Sequence, residues 1–322
     1  MIPRIRIATL PTPIEPLSRL SAALGGPSLW IKRDDLTGLA MGGNKVRKLE
    51  YLIAEAMAHG AQTLITLGAA QSNHCRQTAA LAARFGLDCI LVLSGEPDTV
   101  PEGNLLLDRL FGAEVVWTKR EARETVFQEV FETAWQTGRR PYQIPLGAST
   151  PLGVLGYVTA FRELEQQAFE ADWMVTASSS GGTQAGLILE ARRSGWKGHV
   201  LGISIDHPRR ELQEKVAGLA EKASDLLGEQ LLFSSVDIEV NDGYLGKGYG
   251  VMNDADAEAI RLFARYEGIL LDPVYTGRAA AGMIDLIRRG SVFKAGEKVL
   301  FWHTGGTPAL FAPPYSQQFN QR

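Results

Sequence analysis

The chain has only two cysteines in 322 residues, Cys75 and Cys89, too few for a disulfide framework. None of its five histidines stands at a standard metal-ligand spacing from another histidine, a cysteine or a carboxylate. No metal is therefore expected. Basic excess is also missing: 33 Lys and Arg against 36 Asp and Glu give a formal net charge of −3. No basic run is interleaved with aromatics, so no nucleic-acid partner is expected. No apolar stretch reaches membrane-spanning length, and the opening residues lack the apolar core of a signal peptide. A cytoplasmic protein without a membrane partner is the expectation. Internal repeats, low-complexity linkers, the Gly-x-Gly-x-x-Gly fingerprint and the Walker loop are all absent from the sequence.

What is there is globular. Hydrophobic residues make up 45% of the chain and charged ones 21%, enough for a real core. The length allows one large domain or two modest ones. Residues 1–30 are proline-rich and irregular apart from a helix near 17–24, and Leu29–Arg33 follows as a strand. From Gly60 onward, apolar runs of about five residues alternate with amphipathic segments. Strands are expected at 63–67, 89–93, 114–117, 173–177, 200–205, 236–240 and 298–302, with 141–145 extended. Helices fall between them. Such alternation specifies an α/β chain of βαβ units, and two doubly wound open-sheet domains with a cleft between them. Ligands of open sheets sit at the carboxyl ends of the strands.

The stretch Gly42-Gly43-Asn44-Lys45-Val46-Arg47-Lys48 opens a helix whose apolar stripe is Val46, Leu49, Leu52, Ile53, Ala56 and Met57. Asn44 is the expected N-cap. Lys45 then lies at the positive end of the helix dipole, with Arg47 and Lys48 nearby. All three disfavour an ammonium there. A lysine with a lowered proton affinity is nucleophilic and forms a Schiff base with a carbonyl. Taken alone, the stretch equally suits a solvated cationic patch or an anion site.

Four further loops follow strands or flank helices. Ser72 and Asn73 stand at a helix start, where capping is the plain reading and a cleft-facing hydroxyl and amide the functional one. Ser178-Ser179-Ser180-Gly181-Gly182-Thr183 joins a strand to a helix. Its free N–H groups, glycines and hydroxyls make a phosphate cup, or else an ordinary tight turn. Asp242–Gly250 surrounds Tyr244 and Tyr249 with glycines, as a mobile tyrosine-bearing loop or a surface loop. Tyr275 precedes a helix, and His303-Thr304-Gly305-Gly306 ends the last strand. A lysine that needs a carbonyl and a cup that needs a phosphate together point to pyridoxal 5'-phosphate.

With those residues in hand, the chain resembles the family of pyridoxal-phosphate enzymes that contains D-cysteine desulfhydrase and 1-aminocyclopropane-1-carboxylate deaminase. The resemblance runs over nearly the whole chain. It is carried by Ile31-Lys32-Arg33-Asp34-Asp35, Gly42-Gly43-Asn44-Lys45 to Tyr51, Gln71-Ser72-Asn73-His74, Gly248-Tyr249-Gly250-Val251, Leu271-Asp272-Pro273-Val274-Tyr275-Thr276-Gly277 and His303-Thr304-Gly305-Gly306. It implies the tryptophan-synthase-β-like fold, fold type II, with the cofactor in the cleft. A large domain of residues 1–49 and 160–322, a small one of 50–159, and a homodimer are expected.

The resemblance also implies roles. Lys45 would be the Schiff-base lysine, and Asn73 would meet the cofactor's phenolic oxygen. Ser180, Gly181, Gly182 and Thr183 would hold the phosphate, and Thr304 would face the ring nitrogen. Ser72 would contact the substrate carboxylate or move a proton. Tyr249 and Tyr275 would line the substrate side, with Lys45 or Tyr275 as the base. The deaminases typically carry Glu and Leu where this chain has Thr276 and Thr304, which favours β-elimination of D-cysteine to pyruvate, ammonia and hydrogen sulfide. The alternatives are the cyclopropane deaminase, a cysteate sulfo-lyase and a non-catalytic cofactor-binding protein. The segment Asp206-His207-Pro208-Arg209-Arg210 and Lys247 read either as solvated surface or as basic groups favouring an anionic amino acid.

Overall fold

The computed structural model describes residues 2–97 and 100–319. In chain order the first elements are β1 (Ile14–Pro16), α1 (Ser18–Leu24), β2 (Ser28–Arg33), α2 (Asn44–Ala58), β3 (Thr63–Ala69), α3 (Asn73–Phe85) and β4 (Asp88–Ser94). Then come α4 (Gly103–Leu110), β5 (Glu114–Thr118), α5 (Arg123–Gln136), β6 (Pro141–Ile144), α6 (Pro151–Gln166) and β7 (Trp173–Ser178). The chain closes with α7 (Gly182–Ser194), β8 (His199–Ser204), α8 (Arg209–Leu226), β9 (Val240–Asn241), α9 (Asp254–Glu267), α10 (Thr276–Arg289), β10 (Lys298–His303) and α11 (Tyr315–Gln318).

The strands form two sheets, one of six strands in the order β1-β2-β10-β7-β8-β9 and one of four in the order β5-β4-β3-β6. The four-stranded sheet is parallel throughout. The larger one is parallel except for β1, which runs antiparallel to β2 with Ile14 opposite Lys32. Proline-rich sequence gave no sign of β1, because Pro cannot donate to a ladder. An edge position tolerates that loss. The strand expected at 236–240 shrinks to Val240–Asn241, preceded by a 3-10 turn at Ser235–Asp237.

Central strands read as continuous apolar runs because both faces are covered. Cys89 to Leu93 and Val299 to Trp302 are all buried. The stripe of α2 packs Val46, Leu49, Leu52, Ile53 and Ala56 into one core cluster. Met57, expected in that stripe, is 42% exposed. Both cysteines are free and buried, and no group of metal-ligating side chains occurs among the described residues. No helix among them is long and apolar enough to cross a membrane.

Beneath α2 lies a buried charge network. Arg47 grips Asp34 through Nε (2.9 Å) and Nη2 (2.7 Å), and reaches Glu163 through Nη1 (2.9 Å). Lys32 Nζ meets Glu163 at 2.7 Å. Tyr157 and Trp302 donate to Asp34 at 2.6 and 2.8 Å. Strand β2, the start of α2, α6 and β10 are thereby fixed to one another. Burial lifts the Asp34 carboxyl, but Arg47 and then Lys32 outweigh it and hold the group below its usual range. Helices α2 and α6 cross closely because Gly156 lies against the backbone of Arg47, where a Cβ would run into the Arg47 carbonyl. Gly156→Ala should cost about 1–3 kcal/mol by overpacking, measured by urea unfolding. An unchanged midpoint would contradict that crossing.

Candidate active site

Loops from the carboxyl ends of both sheets face one another across a cleft, as open α/β sheets dictate. Its lining comes from the loops after β3, β4, β5 and β6 on one side. On the other side are the loops after β7, β8 and β10, with Asn44 and Lys45 at the base. It encloses about 930 Å³ of empty space, open mouth included.

Lys45 is the second residue of α2, and Gly43, not Asn44, is the N-cap. The loop delivering it runs through left-handed backbone at Ala40, Met41, Gly42 and Gly43. Gly42 is required there, since a Cβ would strike the Asp35 carbonyl. Asn44 ties the helix start to both walls: its N–H donates to the Thr304 carbonyl at 3.0 Å, and its side-chain amide to Thr183 Oγ1 at 3.0 Å. Burial lowers the Lys45 amine from 10.5 to about 8, against the pull of Asp272 and with a further push from Arg76. The sequence reading put the lowering on Arg47, Lys48 and the dipole. Arg47 is instead spent on Asp34 and Glu163.

The serine-glycine turn caps α7. Gly181 is its N-cap, in left-handed backbone at φ 81°. Ser178, Ser179, Ser180, Gly181 and Thr183 line the cleft, and the Ser178 hydroxyl is buried with no partner. Gly182 does not line it; its N–H donates to Ser149 Oγ at 3.3 Å. Ser149 in turn meets Ser180 Oγ at 2.7 Å and accepts from Lys48 Nζ at 3.1 Å. Lys48 is fully buried with no carboxylate partner among the described residues, and burial, then Lys45, drive its proton affinity well down. Sequence reasoning saw Lys48 only as a neighbouring charge. Its place one turn after Lys45 was the signal that both share a face.

On the opposite wall Ser72 caps α3, accepting from Cys75 N at 3.2 Å, and also lines the cleft. The Asn73 side-chain oxygen accepts from Arg76 (3.0 Å) and Asn104 (2.9 Å), which turns its NH2 group into a free donor. The phenols of Tyr249 and Tyr275 meet at 2.7 Å. Burial raises both, Tyr249 to about 12 and Tyr275 well above its usual value. Thr304 is buried and lines the cleft. Thr276 does not: its hydroxyl donates to Asp272 Oδ1 at 2.8 Å and accepts from the Asp272 N–H at 2.7 Å. The basic segment after β8 is mostly surface. Arg209 approaches Asp242 and Arg210 pairs with Glu214, while Asp206 alone of that segment lines the cleft.

This donor set fits pyridoxal phosphate. A buried lysine amine without a carboxylate partner among the described residues, an orphan hydroxyl and a helix start converge on one anion-sized corner. An amine of reduced proton affinity stands beside it, and a fixed amide donor lies across from the amine.

A family model described as pyridoxal-phosphate dependent enzyme matches residues 5–305. Proteins named D-cysteine desulfhydrase from Salmonella newport (strain SL254) and Salmonella typhi are each 44% identical over 319 residues, covering 96% of this chain and of theirs. The crystal structure of an ACC deaminase homologue superposes with a TM-score of 0.90 at 40% identity, over 98% of this chain and 95% of that one. A fungal L-serine ammonia-lyase from Rhizomucor miehei matches with a TM-score of 0.70 over 97% and 98% of the two chains; at 17% identity it shows the fold alone. The fold is accordingly the tryptophan-synthase-β-like type II fold. On its matched length, its relatives and its fold, the chain belongs to the family of pyridoxal-phosphate dependent enzymes.

Proposed function

We propose that the enzyme catalyses β-elimination of D-cysteine to pyruvate, ammonia and hydrogen sulfide. The observation that carries this reading is the near full-length, 44% identity to proteins named D-cysteine desulfhydrase. It is supported by a threonine, Thr304, on the wall where a ring nitrogen would lie. A hydroxyl there favours a weaker electron sink than a carboxylate would. That suffices when a good leaving group departs from Cβ, and is poorly suited to opening a cyclopropane.

Bound pyridoxal phosphate supplies the electron sink for the bond broken at Cα. Lys45 would carry it, and Asn73 would donate to its phenolic oxygen. Ser180, Gly181 and Thr183 would hold its phosphate, with Ser149, which accepts from the Gly182 N–H and from Lys48, behind them. Ser72 and the first N–H groups of α3 would bind the substrate carboxylate. The Lys45 amine, with a proton affinity near neutrality, takes the α-proton. Tyr275 is less suited to that step, because burial keeps its phenol protonated. The protonated tyrosine pair instead gives a proton to the sulfur, which leaves with the electron pair of the Cβ–S bond. Water then completes the release of pyruvate and ammonia. Tyr275→Phe should lower kcat by about 10²-fold or more with KM little changed. An unaltered kcat would remove the phenols from proton transfer.

The division into a large part of residues 1–49 and 160–322 and a small part of residues 50–159 is likewise our proposal. It rests on the four-stranded sheet lying between residues 63 and 144. A cytoplasmic homodimer is proposed too; exposed Leu106, Leu110 and Phe311, on two elements in mutual contact, offer an apolar face. The test of function is to follow pyruvate and sulfide from D-cysteine, L-cysteine, cysteate and 1-aminocyclopropane-1-carboxylate side by side. Equimolar pyruvate and sulfide from D-cysteine are expected. Ring opening without sulfide release would overturn the reading.

A further inference from the structure

Behind the cleft wall lies a fully buried arginine, Arg76, at the end of the first turn of α3. Among the described residues every hydrogen bond it makes goes to a neutral oxygen. Nη1 donates to Asn73 Oδ1 at 3.0 Å and to Asn104 Oδ1 at 2.6 Å, and Nη2 to the Gly42 carbonyl at 2.8 Å. Burial lowers its proton affinity from 12.5 to about 10, against the pull of Asp108 and Asp272, so it stays charged at neutral pH. Asp108 shares no hydrogen bond with it, and burial pushes that carboxyl up to about 8. Arg76 is therefore not there to balance a carboxylate. A cation near the positive end of a helix is also placed against the dipole, and an apolar side chain would fill the space without either cost.

Its acceptors account for the position. A guanidinium only donates, so each amide that faces it must present oxygen. Asn104 does so, and its NH2 group donates to the Gln71 carbonyl and to Asn73 Oδ1, both at 2.9 Å. The Asn73 oxygen is thus held by two donors, and its NH2 group is turned to the cleft that Asn73 lines. There Nδ2 packs on Gly306, where a Cβ would come within 2.6 Å. The other arm of the fork holds the Gly42 carbonyl, joined by Gln77 Nε2. Gly42 belongs to the left-handed turn that runs through Ala40 and Met41 and delivers Lys45. Such backbone persists only where its surroundings hold it.

We propose that Arg76 is the positioning residue of the cofactor site: one buried fork fixes which face of the Asn73 amide meets the cleft and clamps the turn that delivers Lys45, so that donor and amine keep one spacing. This rests on Lys45 and Asn73 meeting the cofactor, and names the residue that sets both. Arg76 does not line the cleft; it acts through its neighbours. Its charge polarises the Asn73 amide and makes it a stronger donor. With pyridoxal phosphate bound, that donor keeps the phenolic oxygen ionised.

The test uses the cofactor-loaded enzyme without any amino acid, so its outcome does not depend on the β-elimination reading. The ratio of the short- to the long-wavelength cofactor band reads the protonated against the ionised phenolic oxygen. Asn73→Ala should raise that ratio about tenfold, as expected for one lost charge-assisted hydrogen bond. Arg76→Gln should raise it about threefold or more, and should weaken binding of pyridoxal phosphate to the cofactor-free protein about tenfold. In the Asn73→Ala background Arg76→Gln should change the ratio by less than about twofold, because its effect travels through the amide. Arg76→Lys keeps the buried charge and loses the fork, so it should fold where Arg76→Gln does not, and its loading Kd should rise by a similar factor. A ratio and a Kd unmoved by either Arg76 variant, with the Asn73→Ala shift present, would overturn the proposal alone. Fully additive shifts would make Arg76 independent of Asn73 and overturn it as well. An unmoved ratio in Asn73→Ala would remove Asn73 from the phenolic oxygen, and the proposal with it.

Discussion

Lys45→Ala is expected to abolish turnover, with pyruvate formation from D-cysteine falling by ~10³-fold or more, because the proposed mechanism gives one residue both the cofactor's anchor and the base. Lys45→Arg should not rescue it, since a guanidinium stays protonated at every working pH. A coupled pyruvate assay on purified, cofactor-supplemented protein reads the effect. Activity within tenfold of the parent enzyme would sink the assignment. Burial gives the same residue a pH signature. The amine's affinity is lowered to about 8, so the free base accumulates as pH rises through that value. Reaction of the cofactor-free protein with pyridoxal phosphate should therefore quicken by about tenfold between pH 7 and 9 and level off there, whereas an ordinary lysine would quicken by about a hundredfold and still be rising. A loading rate that climbs about a hundredfold without levelling would contradict the lowered affinity.

Arg47→Leu should be the most destabilising single change of a charge in this chain. It leaves Asp34, fully buried, and Glu163 without their main cation. Breaking one partner out of a buried network costs about 3–5 kcal/mol, far more than losing a surface pair. Urea unfolding with cofactor bound would measure it, and a loss under about 1 kcal/mol would refute the network's role. The acid side carries a second signature. Asp34 and Glu163 are both held below their ordinary carboxylate values. Their contribution is full above those ordinary values and drains as pH falls through the lowered ones. The variant should lose that acid dependence along with the stability.

Where chemistry follows chain order, the sequence was readable. The alternation of short apolar runs with amphipathic segments identified the βαβ units. The Gly42-Gly43-Asn44-Lys45 helix start and the Ser180-Gly181-Gly182-Thr183 turn stood out in the sequence, and the fold brings them to one cleft. Periodicity fails where packing between distant segments decides. The edge strand Ile14–Pro16 exists because β2 is there to receive it. Lys48 meets the serine turn before α7 through Ser149, about a hundred positions later. Arg120 and Arg123 reach the cleft because β5 ends at its rim. Thr276, set beside Thr304 by the family pattern, proved to be held in the Asp272 turn. A side chain's partners, and not its place in a motif, decide whether it faces a ligand.

The central claim is that, of two lysines a single turn apart, the half-buried Lys45 and not the buried Lys48 carries the cofactor. Borohydride reduction of the loaded enzyme, followed by peptide mass analysis, tests this most directly. The reduced cofactor is expected on the peptide that contains Lys45, with fragment masses placing it on that residue and leaving Lys48 unmodified. A label on Lys48, or no stable label while pyridoxal phosphate remains bound, would contradict the account.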